Sequence, residues 1–134
     1  MVILAIDVGT VRVGCAVADS AARISFPVAV WAKAKNQAEL ALLKEITDRA
    51  ASVLIVGMPY GPHGERTAMC DTAENFARRI SKRSPISIVF VDESFSSEEA
   101  SERARAGSSS SQAVDAFAAC LILDRYLEDP SATT

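Results

Sequence analysis

The sequence predicts an α/β fold, with a mixed sheet that begins as an antiparallel meander and continues as strands alternating with helices. Two apolar runs, VILAIDV at 2–8 and VRVGCAVA at 11–18, are separated only by Gly9-Thr10 and therefore indicate a hairpin, and a third strand is expected over 26–31. Helical and strand-like patterns alternate along the rest of the chain. We expect the later strands to run parallel to the first, with helices on both faces of the sheet.

The boundaries of the later elements follow from capping and turn residues. Asn36, with Glu39 three residues on, is close to a capping box and marks the start of the first helix. Gly and Pro end the short β-branched runs that indicate buried strands. The remaining predicted elements are helices over 37–51 and 65–82, strands over 52–59 and 86–91, a helix from Ser96 to Ala106 that opens with a second capping box, a flexible loop over 107–111, and a helix from Val114 to Glu128.

Length and composition indicate one domain. The chain has 134 residues, of which 49% are hydrophobic, so it can bury a real core. We expect a single domain over 1–129 and a disordered tail over 130–134. No apolar stretch approaches the roughly 20 residues of a membrane span, and the N-terminus lacks a secretory pattern, so we expect a cytoplasmic protein without a membrane partner.

The net charge and the spacing of the cysteines argue against further classes of protein. A net charge of −3 and a pI near 5.1 argue against a protein that coats nucleic acid indiscriminately, although they allow a local basic patch. Cys15, Cys70 and Cys120 are widely spaced and form no C-x-x-C pair. They therefore predict reduced, structural thiols and no zinc site.

Acidic residues stand where the strands and the last helix would bring them together. Asp7 ends the first strand, Asp92 and Glu93 follow the fifth, and Asp115 lies in the first turn of the last helix. Singly, each acid has a structural explanation, as a turn former, a strand end or a partner of the helix dipole. Together, at the carboxyl edge of parallel strands, they would repel one another unless a cation neutralised them. Carboxylate ligands favour Mg²⁺ or Mn²⁺, and paired ions of this kind hydrolyse phosphodiesters.

Four segments in order resemble the YqgF/RuvX family of small bacterial proteins. They are DVGTVRVGCAVAD (7–19), IVGMPYGPHG (55–64), VDESFSSEEA (91–100) and VDAFAACLIL (114–123). The family has a ribonuclease H-like fold and is described both as pre-16S rRNA nucleases and as Holliday junction resolvase-like proteins. The resemblance implies a mixed five-stranded sheet and metal-dependent hydrolysis of phosphodiester bonds.

The resemblance also implies roles for particular residues. Asp7, Glu93 and Asp115 match the catalytic, metal-binding acids, and Asp92 is a secondary metal ligand because it neighbours Glu93. Thr10 and Arg12 match the segment after the first acid, where an arginine could contact a phosphate. Gly57, Pro59 and Gly64 match the loop after the fourth strand.

The chain departs from the family at cationic positions. Ser94 stands where an arginine is usual and Val11 where a lysine is common, and the segment before Asp115, often basic in the family, is here 108–112 (SSSSQ). Each change removes a cationic contact with a phosphate backbone, so we expect weaker or more selective substrate binding.

For several other residues the sequence allows either a structural role or a contact with substrate. Tyr60 could stack on a base, and His63, in the YGPHG loop, is either a surface residue or a proton donor that contacts substrate. Trp31 is expected in the core. The basic stretch at 78–83 is expected to be a solvated helix end, with nucleic-acid contact as the minority interpretation.

We expect a divalent-metal-dependent nuclease acting on structured RNA and involved in 16S rRNA maturation. Resolution of branched DNA is the alternative within the same chemistry, and it needs two active sites related by a two-fold axis, so monomer and homodimer both stay open. The D-x-G-T pattern at Asp7 also resembles the phosphate loop of the actin and sugar-kinase fold, but that fold needs two domains. A non-catalytic RNA-binding module in ribosome biogenesis is the remaining class.

Overall fold

Five strands and three α-helices form the described part of the chain. The structure, a computed structural model, describes residues 1–22, 24–93 and 111–128, with side chains in the last segment from residue 117 onward. The elements are β1 (Val2–Val8), β2 (Arg12–Asp19), β3 (Ser25–Ala32), a 3-10 turn (Ala34–Asn36), α1 (Gln37–Asp48), β4 (Val53–Met58), α2 (Ala68–Ser81), β5 (Ser87–Asp92) and α3 (Ser111–Glu128).

The strands form one mixed sheet in the order β3-β2-β1-β4-β5, which confirms the predicted fold class. β1 pairs antiparallel with β2 and parallel with β4, and β4 pairs parallel with β5. The predicted hairpin turns at Gly9, whose N–H donates to the Arg12 carbonyl at 2.8 Å. Since β1, β4 and β5 run in one direction, their carboxyl ends meet at one edge of the sheet.

The two faces of the sheet are covered by different helices. Successive side chains of a strand point to opposite faces, and the buried residues separate accordingly. Leu4 and Ile6 belong to the core that includes residues of α1 and α2, whereas Ile3 and Ala5 belong to the core that includes α3. The α3 side is formed by small and branched residues, which let the helix lie close to the strands: Ala119, Cys120, Ile122 and Leu123.

The start of α1 differs from the prediction. Asn36 has a φ of 59°, in the left-handed region, and its side chain makes no capping hydrogen bond. Glu39 does not reach back to Asn36 but lies almost buried, with Arg79 and Arg83 as its ionic partners. The predicted capping box is therefore wrong, because a long-range ion pair holds the acid that the local motif would have used.

Other element ends also shift. The first helix was predicted to reach residue 51 but ends at Asp48, and Ala50 takes a φ of 51° that turns the chain into β4. The second begins at Ala68 instead of residue 65, because the loop before it is folded on itself by a bond from the Gly61 N–H to the Glu65 carbonyl at 2.9 Å. The last begins at Ser111, which the prediction had placed in a loop.

Several predictions fall outside the described residues, namely the helix over 96–106, positions 107–110 of the loop and the tail over 130–134. Among the helices that the structure describes, none combines the length and the apolar character that crossing a bilayer requires. The three cysteines are buried thiols, as predicted. Burial raises the pKa of the Cys15 thiol to about 12, with a smaller contribution from the negative charge of Glu45.

Candidate active site

Asp7 lies near the end of the central strand and interrupts an otherwise apolar face. It has the same strand parity as Ile3 and Ala5, so its side chain is on the α3 face of the sheet. It is only partly buried, in contrast to both of those residues. A carboxylate at this place is thus accessible at the carboxyl edge while its backbone is fixed in the middle of the sheet.

Both strands beside Asp7 place a glycine next to it. Gly14 of β2 is its paired residue, and Gly57 of β4 lies one position beyond Val56, which pairs with Ile6. Neighbouring strands lie about 4.8 Å apart, so a side chain at either position would stand directly beside the carboxylate. Neither neighbouring strand therefore places a side chain of its own directly beside Asp7.

Glu93 and Ile122 occupy the space that Gly57 leaves by having no side chain. A Cβ at Gly57 would lie 2.8 Å from Glu93 Cδ, 2.9 Å from its Oε2 and 2.5 Å from Ile122 Cδ1. The Glu93 carboxylate therefore packs directly on the backbone of Gly57, one strand away from Asp7. Its own backbone is fixed, since its N–H donates to the Met58 carbonyl at 3.1 Å, and the side chain is buried.

Asp92 and Glu93 are adjacent, but their side chains lie on opposite faces of the sheet. Asp92 has the parity of Ile88 and Phe90, which belong to the core shared with α1 and α2, so it points away from Asp7. Its backbone carbonyl accepts a hydrogen bond from Nη1 of Arg125, which holds α3 against this end of β5. The geometry thus favours Glu93 over Asp92 as the partner of Asp7.

Asp115 lies in the second turn of α3, and its side chain is outside the described residues. The residue precedes Ala119 by four positions and Ile122 by seven, a spacing that repeats on one side of a helix. Both of those residues pack on the α3 face of the sheet. The backbone therefore puts Asp115 in the helix that covers Asp7 and Glu93.

The predicted substrate-contacting residues lie on two neighbouring loops at the carboxyl edge. Thr10 and Arg12 belong to the β1–β2 hairpin, where the exposed Thr10 hydroxyl lies 3.6 Å from Met69 Sδ. Tyr60 and His63 follow β4. The Tyr60 ring packs against the core on the α1 and α2 side, and His63 is exposed, with its backbone N–H bound to the Glu65 carboxylate at 2.9 Å.

The donor set of this site suits a hard divalent cation. Asp7 and Glu93 offer only oxygen atoms, which Mg²⁺ and Mn²⁺ prefer. All three cysteines are buried elsewhere, and the only histidine is on the exposed loop. Among the described side chains, no group of three His, Cys, Asp or Glu residues could hold a metal ion.

Sequence reasoning missed Gly14 and gave Gly57 no role at the site. A glycine inside a strand is a signal in its own right, because it weakens the strand and often marks a place where a ligand or another group approaches the backbone closely. The signal became informative only with the register, which puts both glycines beside the same aspartate.

Known proteins resemble this chain in sequence. Three proteins named "Putative pre-16S rRNA nuclease" match nearly the whole chain. The one from Paraburkholderia phytofirmans is 35% identical over 94% of this chain and 87% of its own length. The one from Clavibacter sepedonicus is 35% identical over 96% of this chain and 84% of its own length. The one from Oleidesulfovibrio alaskensis is 36% identical over 95% of this chain and 92% of its own length.

Solved structures share the fold at low sequence identity. Thermus thermophilus RuvC matches with a TM-score of 0.62 and 14% identity over 99% of both chains, and the fowlpox virus Holliday junction resolvase matches with a TM-score of 0.55 and 15% identity over 96% of this chain and 99% of its own. The model of the RuvX family, described as Holliday junction resolvase, matches residues 1–129. With an aspartate and a glutamate meeting at one sheet edge and these matches across nearly its whole length, the chain belongs to the RuvX family.

Proposed function

We propose that this protein is a divalent-metal-dependent nuclease that hydrolyses phosphodiester bonds in structured RNA and processes the 5′ end of pre-16S rRNA. The observation that carries the proposal is the Glu93 carboxylate packed on Gly57, one strand from Asp7. Two carboxylates one strand apart on one side of a sheet offer oxygen ligands to a single hard cation. The names of the relatives support RNA as the substrate class, and the cytoplasm, where rRNA is made, is the proposed location.

The site residues divide into ligands and substrate contacts. Asp7, Glu93 and Asp115 would hold Mg²⁺ or Mn²⁺, which when bound supplies stabilisation of the negative charge that develops on phosphate and an activated water. The buried backbone of Glu93 fixes its carboxylate, and Gly57 leaves the space that this carboxylate occupies. Arg12 on the hairpin would orient a phosphate through its guanidinium.

The loop residues would act on the nucleotides around the cleaved bond. Tyr60 offers a ring that can stack on an unpaired base, and Thr10 offers a hydroxyl to a phosphate or a 2′-hydroxyl. His63 is exposed on the loop after β4 and could contact the substrate strand without a role in the reaction itself. These contacts would add to affinity, whereas the acids carry the hydrolysis.

Resolution of branched DNA is the second candidate, favoured by the description of the family model and by the likeness to RuvC. A resolvase cuts two strands symmetrically and needs two copies of this site related by a two-fold axis. A protein that stays monomeric at assay concentration therefore cannot be a resolvase, and either a monomer or a homodimer is compatible with RNA hydrolysis.

A cleavage assay on matched substrates tests the proposal. Purified protein is incubated with a precursor 16S RNA fragment or a four-way DNA junction, with and without Mn²⁺. We expect Mn²⁺-dependent cleavage of the RNA, reduced at least about 100-fold in Asp7→Asn, because that change removes charge stabilisation at the reacting centre. Asp48→Asn, an equal change in charge at the exposed end of α1, is the control and should cleave normally.

Each other outcome has a defined meaning. Cleavage of the junction alone favours the resolvase. Cleavage that persists in Asp7→Asn removes the proposed site. RNA binding without cleavage of either substrate, in the presence of Mn²⁺, leaves the non-catalytic RNA-binding module as the function.

A further inference from the structure

Two arginines flank a single carboxylate, and a lysine whose charge interacts with one of them binds the β1–β2 hairpin. Lys33, which follows β3, donates from Nζ to the Gly9 carbonyl at 3.1 Å. Arg79 Nε and Arg83 Nη1 lie 3.8 and 3.9 Å from the two oxygens of Glu39. We call Lys33, Arg79 and Arg83 the cation cluster. It carries two positive charges in excess of Glu39, on a chain whose net charge is −3.

Like charges lie close together here, since Arg79 and Arg83 share Glu39 and Lys33 is near enough to Arg79 to be repelled by it. The pKa of Lys33 is lowered, first by partial burial and then by the positive charge of Arg79. The fold nevertheless keeps them together, since Glu39, almost buried in the first turn of α1, faces both guanidinium groups. Arg79 is further placed over the Phe76 ring, 5.6 Å from its centroid. A solvated helix end, the interpretation favoured from sequence, does not require this convergence.

Other cations of the described chain are neutralised in a different way. Lys44 lies 2.6 Å from Asp48, and Arg49 lies 2.6 Å from Glu45, so each has a hydrogen-bonded acid of its own. Arg79 and Arg83 share one acid at longer distances, and about half of each side chain is exposed. A guanidinium has five N–H donors, and most of theirs make no hydrogen bond to any residue that the structure describes. They are available to an anion from outside.

The cluster adjoins the candidate active site through the hairpin. Gly9, the residue that binds Lys33, is two positions beyond Asp7, about 7 Å of extended chain. A nucleic-acid strand advances about 3.4 Å per nucleotide along a duplex axis. A strand with one phosphate at Asp7 could thus present another to Lys33 a few nucleotides away, on the side of the sheet that α1 and α2 cover.

We propose that Lys33, Arg79 and Arg83 bind a backbone phosphate of the nucleic-acid substrate away from the cleaved bond, with Glu39 positioning the two arginines. This inference rests on the proposed function, since it takes the ligand to be the substrate of the same site. The cluster supplies cationic contact that the serine-rich segment and Ser94 do not offer.

Salt dependence of binding tests the proposal. Each neutralised phosphate contributes about −0.7 (single strand) to −0.9 (duplex) to the slope of log K against log salt concentration. Fluorescence anisotropy is measured with a labelled structured RNA, in an Asp7→Asn background that prevents cleavage. The variant Lys33→Gln/Arg83→Gln leaves Arg79 beside Glu39, and loss of the one phosphate contact should make the slope shallower by about 0.7 to 0.9.

A matched control removes the same net charge elsewhere. Lys44→Gln/Arg49→Gln takes away two cations that are already paired, and its slope should stay within about 0.3 of the parent, because no phosphate contact is lost. Thermal unfolding of all variants establishes that each is folded.

The outcomes separate the two proposals. If the parent protein binds the RNA and both double variants have the same slope as the parent, the cation cluster does not bind substrate while the proposed function stands. If the slopes of both double variants become shallower by the same amount, the cation cluster likewise does not bind substrate. If the parent protein binds no nucleic acid at all, the proposed function fails and this inference fails with it.

Discussion

Substitution of Gly57 by alanine tests whether the Glu93 carboxylate needs the space beside Asp7. The added Cβ would lie 2.5 Å from Ile122 Cδ1 and 2.8 Å from Glu93 Cδ, whereas ordinary carbon contacts are about 3.5 to 4.0 Å. Both groups would have to retreat by roughly 1 Å. Such overpacking costs about 1 to 3 kcal/mol, and a 1 Å misplacement of a reacting group costs on the order of 100-fold in rate.

A second substitution separates the two effects. Ile122→Val removes the Cδ1 atom that meets the new Cβ, so Gly57→Ala/Ile122→Val should recover part of the free energy of unfolding that Gly57→Ala loses, measured by urea denaturation. It should not recover Mn²⁺-dependent cleavage, because the clash with Glu93 persists. If Gly57→Ala cleaves within twofold of the wild type, the placement of Glu93 beside Asp7 is not needed for activity. Recovery of full activity by the double variant would show that only packing was disturbed.

Two further predictions concern stability. The unfolded Cys15 thiol ionises above about pH 9, whereas burial keeps the folded thiol protonated to about pH 12, so the free energy of unfolding should fall as pH rises between these values, by about 1.4 kcal/mol per pH unit. Urea denaturation at pH 8 and pH 10 should show this loss, and a loss equal in Cys15→Ala would contradict it. The Thr67 hydroxyl donates to the Pro59 carbonyl at 2.9 Å at the start of α2. Thr67→Val should therefore lower the free energy of unfolding by about 1 kcal/mol, and Thr67→Ser, which keeps the hydroxyl, should lower it much less. Equal effects of the two substitutions would exclude the hydrogen bond as the cause.

The strands and their faces were predictable from sequence because they depend on local patterns. Strand parity fixes which side chains of VILAIDV share a face, and it separates Asp92 from Glu93 before any coordinates are seen. The parallel pairing of β1, β4 and β5 follows from the order of elements. These rules bring Asp7 and Glu93 to one edge of the sheet.

The features that sequence reasoning missed depend on contacts between distant residues. Gly14 and Gly57 become neighbours of Asp7 only through the register of three strands. Glu39 fits a local capping motif, yet arginines about 40 positions later draw it into the core, and no local pattern contains that competition. The cation cluster went unrecognised for the same reason, since Lys33 is far in sequence from the basic stretch at 78–83.

Mn²⁺ titration by isothermal calorimetry tests most directly the claim that Asp7 and Glu93 hold one divalent cation together. Glu93→Gln removes a proposed ligand and should weaken Mn²⁺ binding at least about tenfold. Tenfold is the lower bound because the loss of a residue that only orients a metal ligand already weakens binding by about that much. Asp92→Asn makes the equivalent change at the adjacent residue on the opposite face and should bind Mn²⁺ within about twofold of the wild type. Equal affinities in the wild type and Glu93→Gln, or an equal loss in both variants, would contradict the account.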